Sequence, residues 1–177
     1  GRGSPPKTSR GYAATVSEPV PAARYAARAV VIDDARRTLL FRAKVPGRVG
    51  RFIWIAPGGG IQEGEDELAC VRRELFEETG LLDPEVGPCV WQRDHTFRWG
   101  TGMLRQVESY FVVHTAVFEI STENHEEAER EFLDTHRWFT LEELRSHDET
   151  LVPGNFAELL APLLRGEYPA NPVTVGI

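Results

Sequence analysis

Glu74, Glu77 and Glu78 stand at spacings i, i+3 and i+4, and the run Pro57-Gly58-Gly59-Gly60 lies upstream of them. Residues three and four apart are neighbours on a helix, so these carboxylates would repel one another by roughly a few tenths of a kcal/mol per pair. Two readings are open for such a cluster. One is a solvated charged face, partly neutralised by Arg72 and Arg73. The other is a seat for a hard cation, because magnesium or manganese prefers carboxylate and water oxygens and turns the repulsion into attraction. The glycines favour the second reading, since they permit a sharp loop and expose backbone groups close to the cluster. Oxygen ligands beside a turn that approaches phosphate closely are what metal-dependent cleavage of a diphosphate requires.

The elements that must hold these residues follow from periodicity and punctuation. A helix is predicted from about Asp66 to Thr79, ended by Gly80. At ~100° per residue, Leu68, Val71 and Leu75 share its core-facing side, and the glutamates sit on the rim beside it. Upstream, Ala26 to Ile32 reads as a buried strand, Asp33-Asp34-Ala35-Arg36 as a turn, and Thr38 to Lys44 as the hairpin partner. A loop from Val45 to Gly50 leads to a short aromatic strand, Arg51 to Ile55, which Pro57 and the three glycines break. Downstream, Cys89 to Trp99 and Arg105 to Phe118 read as strands, Glu119 to Asp134 as an acidic loop, and His136 to Phe139 as a further strand. Thr140-Leu141-Glu142-Glu143 has the form of a capping box opening a short helix, and a last helix runs from about Asn155 to Arg165. Strands interleaved with helices predict a mixed sheet with helices packed on it.

The length of 177 residues suits one compact domain, expected over 25–177. Residues 1–24 are rich in Pro, Gly, Ser and Ala and read as a mobile or draped arm. Gly1-Arg2-Gly3-Ser4, without an initiating methionine, has the look of a tag remnant. A formal charge of −7 argues against broad nucleic-acid binding, which relies on a basic footprint. No apolar stretch approaches ~20 residues, so no membrane span is expected. Cys70 and Cys89 form neither a metal-ligand spacing nor a disulfide framework, which points to a reduced, cytoplasmic protein. His95, His114, His125, His136 and His147 show no paired metal spacing and are read as surface or strand residues.

The stretch from Gly59 to Leu81 resembles the Nudix box: Gly, five residues, Glu, seven residues, Arg-Glu, an aliphatic residue, any residue, Glu-Glu, any residue, Gly, and an aliphatic residue. Gly59, Glu65, Arg73, Glu74, Leu75, Glu77, Glu78, Gly80 and Leu81 fill every specified place. The resemblance implies a three-layer α/β/α sandwich with a mixed central β-sheet. It also implies magnesium- or manganese-dependent hydrolysis of a nucleoside diphosphate linked to another moiety, a small nucleotide-type substrate. By the same carry-over Glu77 and Glu78 are the main metal-coordinating carboxylates, Glu74 a ligand or base, and a backbone carbonyl near Gly58 completes the shell. Glu65 is a ligand or an acid standing behind the ligands, and Arg73 an organiser of the carboxylates. Relatives differ over the base, some taking a helix glutamate and others an acid close before a Trp-containing strand. Here Arg137 directly precedes Trp138, so the candidates are Glu74 or one of Glu126, Glu127, Glu129 and Glu131. A homodimer is the expectation that the resemblance brings, and no residue specifies it.

Substrate-contacting candidates are Arg42 and Arg51, with Lys44 and Arg48, for terminal phosphates, and Trp54, Phe97 and Trp99 for stacking on a base. Asn155 is either a purine-reading side chain, as in some relatives, or a helix cap. The proline that relatives acting on ADP-ribose tend to carry about sixteen residues beyond the box is replaced by Phe97. A nucleotide-sensing module without catalysis, or a prenyl-diphosphate isomerase, would be expected to lose box glutamates, and none is missing.

Overall fold

The computed structural model describes residues 19–176. Most of the expected N-terminal arm, residues 1–18 with the tag-like start, lies outside them. Nine strands and four helices follow in the order β1 (Ala23–Asp33), β2 (Thr38–Lys44), β3 (Phe52–Ile55), β4 (Gly58–Gly60), α1 (Glu67–Thr79), β5 (Cys89–Trp99), β6 (Gly102–Thr115), α2 (Glu127–Phe132), β7 (Leu133–Phe139), α3 (Leu141–Ser146), β8 (Leu151–Val152), α4 (Phe156–Leu164) and β9 (Val173–Thr174). β1 begins inside the stretch assigned to the arm. Its first residues, Ala23 to Tyr25, pair in parallel with Arg105 to Val107 of β6, and that pairing outweighs their loop-like composition.

The sheet is mixed, in the order β8-β3-β2-β1-β6-β5-β9. β1 and β2 pair only beside their hairpin, at Ile32 and Thr38, and then separate. β3 takes the vacated edge of β2, from Phe41↔Ile55 to Lys44↔Phe52. β4 takes the vacated edge of β1, from Ala26↔Gly60 to Arg28↔Gly58. Ala56 and Pro57 therefore cross the split, and the Pro57 carbonyl accepts a hydrogen bond from Ala29 N–H at 2.8 Å. The three glycines, expected only to break a strand, form one themselves. A Cβ on Gly58 would lie 2.3 Å from the Ala27 carbonyl oxygen, so only glycine admits this approach.

Each face of the sheet is covered. Cys70, Val71 and Leu75 of α1 pack on Ala27, Ala29, Val31, Leu39 and Phe41. On the other face Leu144 of α3 and Phe156, Leu160 and Leu163 of α4 pack on Val30, Leu40, Trp54, Trp91 and Phe139. These are the layers of an α/β/α sandwich. Truncating a fully buried side chain such as Leu75 to alanine costs about 2–5 kcal/mol in such a core. Leu68, expected on this buried side, is 37% exposed. It stands in the first turn of α1 and lines a surface recess with Ile61 and Phe111 instead. The capping box at Thr140 and Glu143 forms in both directions. No helix among the described residues is long and apolar enough to cross a membrane.

Candidate active site

Helix α1 is fixed at both ends by its own sequence. The Asp66 side chain accepts from Ala69 N–H at 2.8 Å, and Gly80 leaves the helix in the left-handed conformation at φ 78°. Between these caps Glu74 and Glu78 face inward and are only 7% and 5% exposed, which rules out a solvated charged face for them. The acidic loop expected after Glu119 contains a helix, α2, opened by a capping box between Glu126 and Glu129. Of its four candidate acids, Glu129 turns toward α1, while Glu126, Glu127 and Glu131 are exposed. Carboxylate oxygens of Glu74, Glu78 and Glu129 lie within 4.8 Å of one another.

Among the described residues nothing neutralises this trio fully. Gly58 donates its N–H to Glu78 Oε2 at 3.1 Å. Among the described residues Glu129 has no ion pair, and its Oε2 accepts only from Glu126 N–H at 3.3 Å. Burial pushes the Glu78 carboxyl well above the usual range, and Glu74 and Glu129 add to this against the opposing charge of Arg28. Burial likewise raises Glu74, with Arg73 opposing and Glu77 and Glu129 reinforcing. Glu129 is raised by burial first and by Glu77 and Glu126 next. Three hard oxygen donors, close together and short of positive charge, fit magnesium or manganese, which removes their repulsion by binding them.

Arg73 organises the outer side of the cluster. Its Nε and Nη2 each reach the Glu65 carboxylate at 2.8 Å. Its Nη1 reaches Glu74 at 3.0 Å and Glu77 at 3.2 Å, and Nη2 also donates to the Gly60 carbonyl at 3.1 Å. The bidentate pair with Arg73 holds the Glu65 carboxyl down at about 2. Glu65 and Glu77 are thus engaged by Arg73, outside the three-oxygen group. The contact that Gly58 makes with the cluster is through its N–H.

The substrate candidates are scattered. Arg42 bridges Asp134 at 2.7 Å and Glu149 at 2.8 Å, with its guanidinium 3.5 Å from the Phe52 ring centre. Trp54 is buried and donates from Nε1 to Glu149 at 3.2 Å. Arg51 is exposed in the loop before β3. Phe97 and Trp99 lie toward the β5–β6 hairpin, where His95 stacks on Phe97 with ring centres 5.0 Å apart. Asn155 holds the N-cap position of α4, yet its side chain makes no capping hydrogen bond.

Sequence reasoning missed a buried network beside the cluster. Glu108, 2% exposed, accepts from Arg28 at 2.6 Å, Arg93 at 3.1 Å, Gln106 at 2.8 Å and Tyr110 at 3.3 Å. Burial would raise the Glu108 carboxyl, but the two arginines outweigh it and hold it at about 2. A signal existed: Arg28 shares the inward register of Ala26 and Val30, and Glu108 that of Tyr110 and Val112. His125 was also missed as a site neighbour, for its Nε2 lies 2.7 Å from the Glu78 backbone oxygen.

Residues 22–160 match the NUDIX domain family. The chain is 30% identical over 132 residues to an RNA pyrophosphohydrolase of Caulobacter vibrioides, covering 67% of each protein. It is 59% identical over 29 residues to an RNA pyrophosphohydrolase of Bartonella bacilliformis, a stretch that spans 17% of that relative's length. Among solved structures, the MutT protein of Methanosarcina mazei Go1 aligns with a TM-score of 0.59 at 21% identity, over 81% of this chain and 94% of that one.

Proposed function

The chain belongs to the Nudix family, and from that premise we propose that it is a divalent-metal-dependent pyrophosphohydrolase acting on a nucleotide-type diphosphate. The observation that carries this reading is the convergence of the Glu74, Glu78 and Glu129 oxygens within 4.8 Å. Magnesium or manganese held there would neutralise charge on the diphosphate oxygens and make a water more acidic. Glu74, Glu78 and Glu129 would hold the cation between α1 and α2, and the Gly58 carbonyl and Glu77 would add oxygens from the loop and from the neighbouring helical position. Arg73 keeps Glu74 and Glu77 in place and leaves Glu65 no part beyond fixing that guanidinium.

Proton acceptance falls to Glu129 in this reading. Among the described residues no ion pair engages its carboxylate, whereas Arg73 holds Glu74 at 3.0 Å. Arg42 and Trp54 are committed to Glu149, so the exposed Trp99, Arg51 and Asn155 and the half-buried Phe97 are the better candidates for touching substrate. The free thiols of Cys70 and Cys89 suit a reducing compartment, the cytoplasm in this reading.

Phosphate release from a nucleotide panel, with and without magnesium, tests the assignment. The panel includes sugar nucleotides, dinucleoside polyphosphates, ADP-ribose, oxidised nucleoside triphosphates and an RNA bearing a terminal pyrophosphate. Glu78→Gln is expected to lower the magnesium-dependent rate by at least ~100-fold while the fold survives. Unchanged turnover in that variant would remove the cluster from the chemistry.

A further inference from the structure

The last turn of α1 ends in carbonyls that the helix cannot satisfy by itself. Leu75 O accepts from Thr79 Oγ1 at 2.5 Å, and Phe76 O from Gly80 N–H at 2.9 Å. Two more, those of Glu78 and Thr79, are capped from a distant stretch of chain. Thr79 O accepts from Ser121 N–H at 2.9 Å, and Glu78 O accepts from His125 Nε2 at 2.7 Å. A carbonyl only accepts, so His125 carries a proton on Nε2. Its ring lies against Phe41, with centres 6.1 Å apart.

His125 immediately precedes the cap of α2. Glu129 Oε2 accepts from Glu126 N–H at 3.3 Å, which fixes that carboxylate relative to the turn beginning at His125. Arg130 donates back to His125 O at 3.2 Å and to Glu123 O at 3.5 Å, tying the turn to the helix. Two of the three clustered carboxylates are therefore referenced to one hydrogen bond. Glu78 is joined to it through its own backbone, and Glu129 through the cap three residues before it.

We propose that His125 is a positioning residue that sets Glu129 against Glu74 and Glu78 by capping the helix turn that carries Glu78. The inference rests on the hydrolase reading above. Ser121 still ties the segment to Thr79 when the His125 bond is lost, so the fold persists while Glu129 loses its register.

Three variants of the full chain separate this role from simple packing. His125→Phe keeps a ring on Phe41 but has no donor. His125→Gln returns an amide N–H at about the reach of Nε2. His125→Asn has a donor too short to span to Glu78 O, and it stands in if the Phe variant fails to fold. Manganese binding is followed by electron paramagnetic resonance, and kcat and KM with the panel nucleotide that the wild type turns over fastest. Losing the donor is expected to weaken manganese binding and lower kcat by ~10- to 100-fold each, with KM within about twofold. The Gln variant should recover most of both. Glu129→Gln should cost far less in the donor-less background than in the wild type, because one substitution has already displaced what the other removes. Wild-type manganese affinity and kcat in the donor-less variant, or additive losses with Glu129→Gln, would overturn the proposal. A wild type that neither binds manganese nor turns over any nucleotide would instead overturn the hydrolase reading on which it rests.

Discussion

The Arg28 guanidinium donates from Nε to the Glu108 carboxylate at 2.6 Å and from Nη1 to the Ala56 carbonyl at 3.0 Å. A buried ion pair between parallel strands thus holds the two-residue crossing that delivers Gly58 to Glu78. Arg93 completes the pair from β5, so two guanidinium groups share one carboxylate in the sheet interior.

Removing that carboxylate leaves both arginines buried and uncompensated. Glu108→Ala is expected to cost ~3–5 kcal/mol of stability, read from the urea midpoint, as for other buried pairs broken on one side. Because Ala56 loses its tether through Arg28, the variant should also lose activity under conditions where it remains folded.

The acid limb of stability should be governed by Glu108 and Glu65, both held at about 2 in the folded chain. Their folded values lie below the unfolded ones, so their contribution is present above pH ~4.5 and is lost as pH falls through about 2. Glu74 and Glu78 act with the opposite sign. Their raised folded values make the stability they contribute complete below pH ~4.5 and lost as pH rises through those values. Thermal melts in EDTA should therefore show a maximum on the acid side of neutrality.

Glu78→Gln, expected to slow turnover at least ~100-fold, should raise the melting temperature of the metal-free chain at neutral pH, because it removes a buried charge with two acidic neighbours. Magnesium should stabilise the wild type by mass action, ~2.7 kcal/mol at a hundred times its Kd, and the variant far less. Differential scanning calorimetry with and without magnesium reads both effects.

A Cβ on Gly59 would lie 2.5 Å from Glu74 Oε1, so Gly59→Ala must displace that carboxylate. The expected result is a kcat loss of ~10-fold or more. Gly64→Ala is the control: φ is +78° there and no atom of the described residues lies within 4 Å of the added carbon. That change should cost ~1–2 kcal/mol of stability, with no loss of rate at temperatures where the variant is folded.

Much of α1 was legible because its determinants are local. Asp66, Gly80 and the arginine-glutamate spacings all act within the helix or just beside it. The parallel pairing of β1 with β6 was not legible in the same way, since it joins strands far apart in sequence, and with it went the meeting of Arg28 and Glu108. Glu129 could not be singled out from Glu126, Glu127 and Glu131, because α2 is a six-residue polar helix whose orientation is set by what it docks on. The glycine run reads locally as a breaker. It becomes a strand because β1 offers a free edge that only a chain without side chains can approach. Leu68 went astray for a related reason: it has the right residue type for the buried side, but its place in the first turn of α1 leaves it exposed.

The split between β1 and β2 gives the sheet a seam. α1 packs mainly against β1 and β4 on one side of it, whereas α2 belongs with β7, which is paired to β2 on the other. A dication gripped by Glu78 and Glu129 at once would act as a rivet across that seam, clamping two panels that are otherwise joined edge to edge only beside one hairpin. Amide exchange should then slow in both panels together when metal is added, including in strands that never approach the ion.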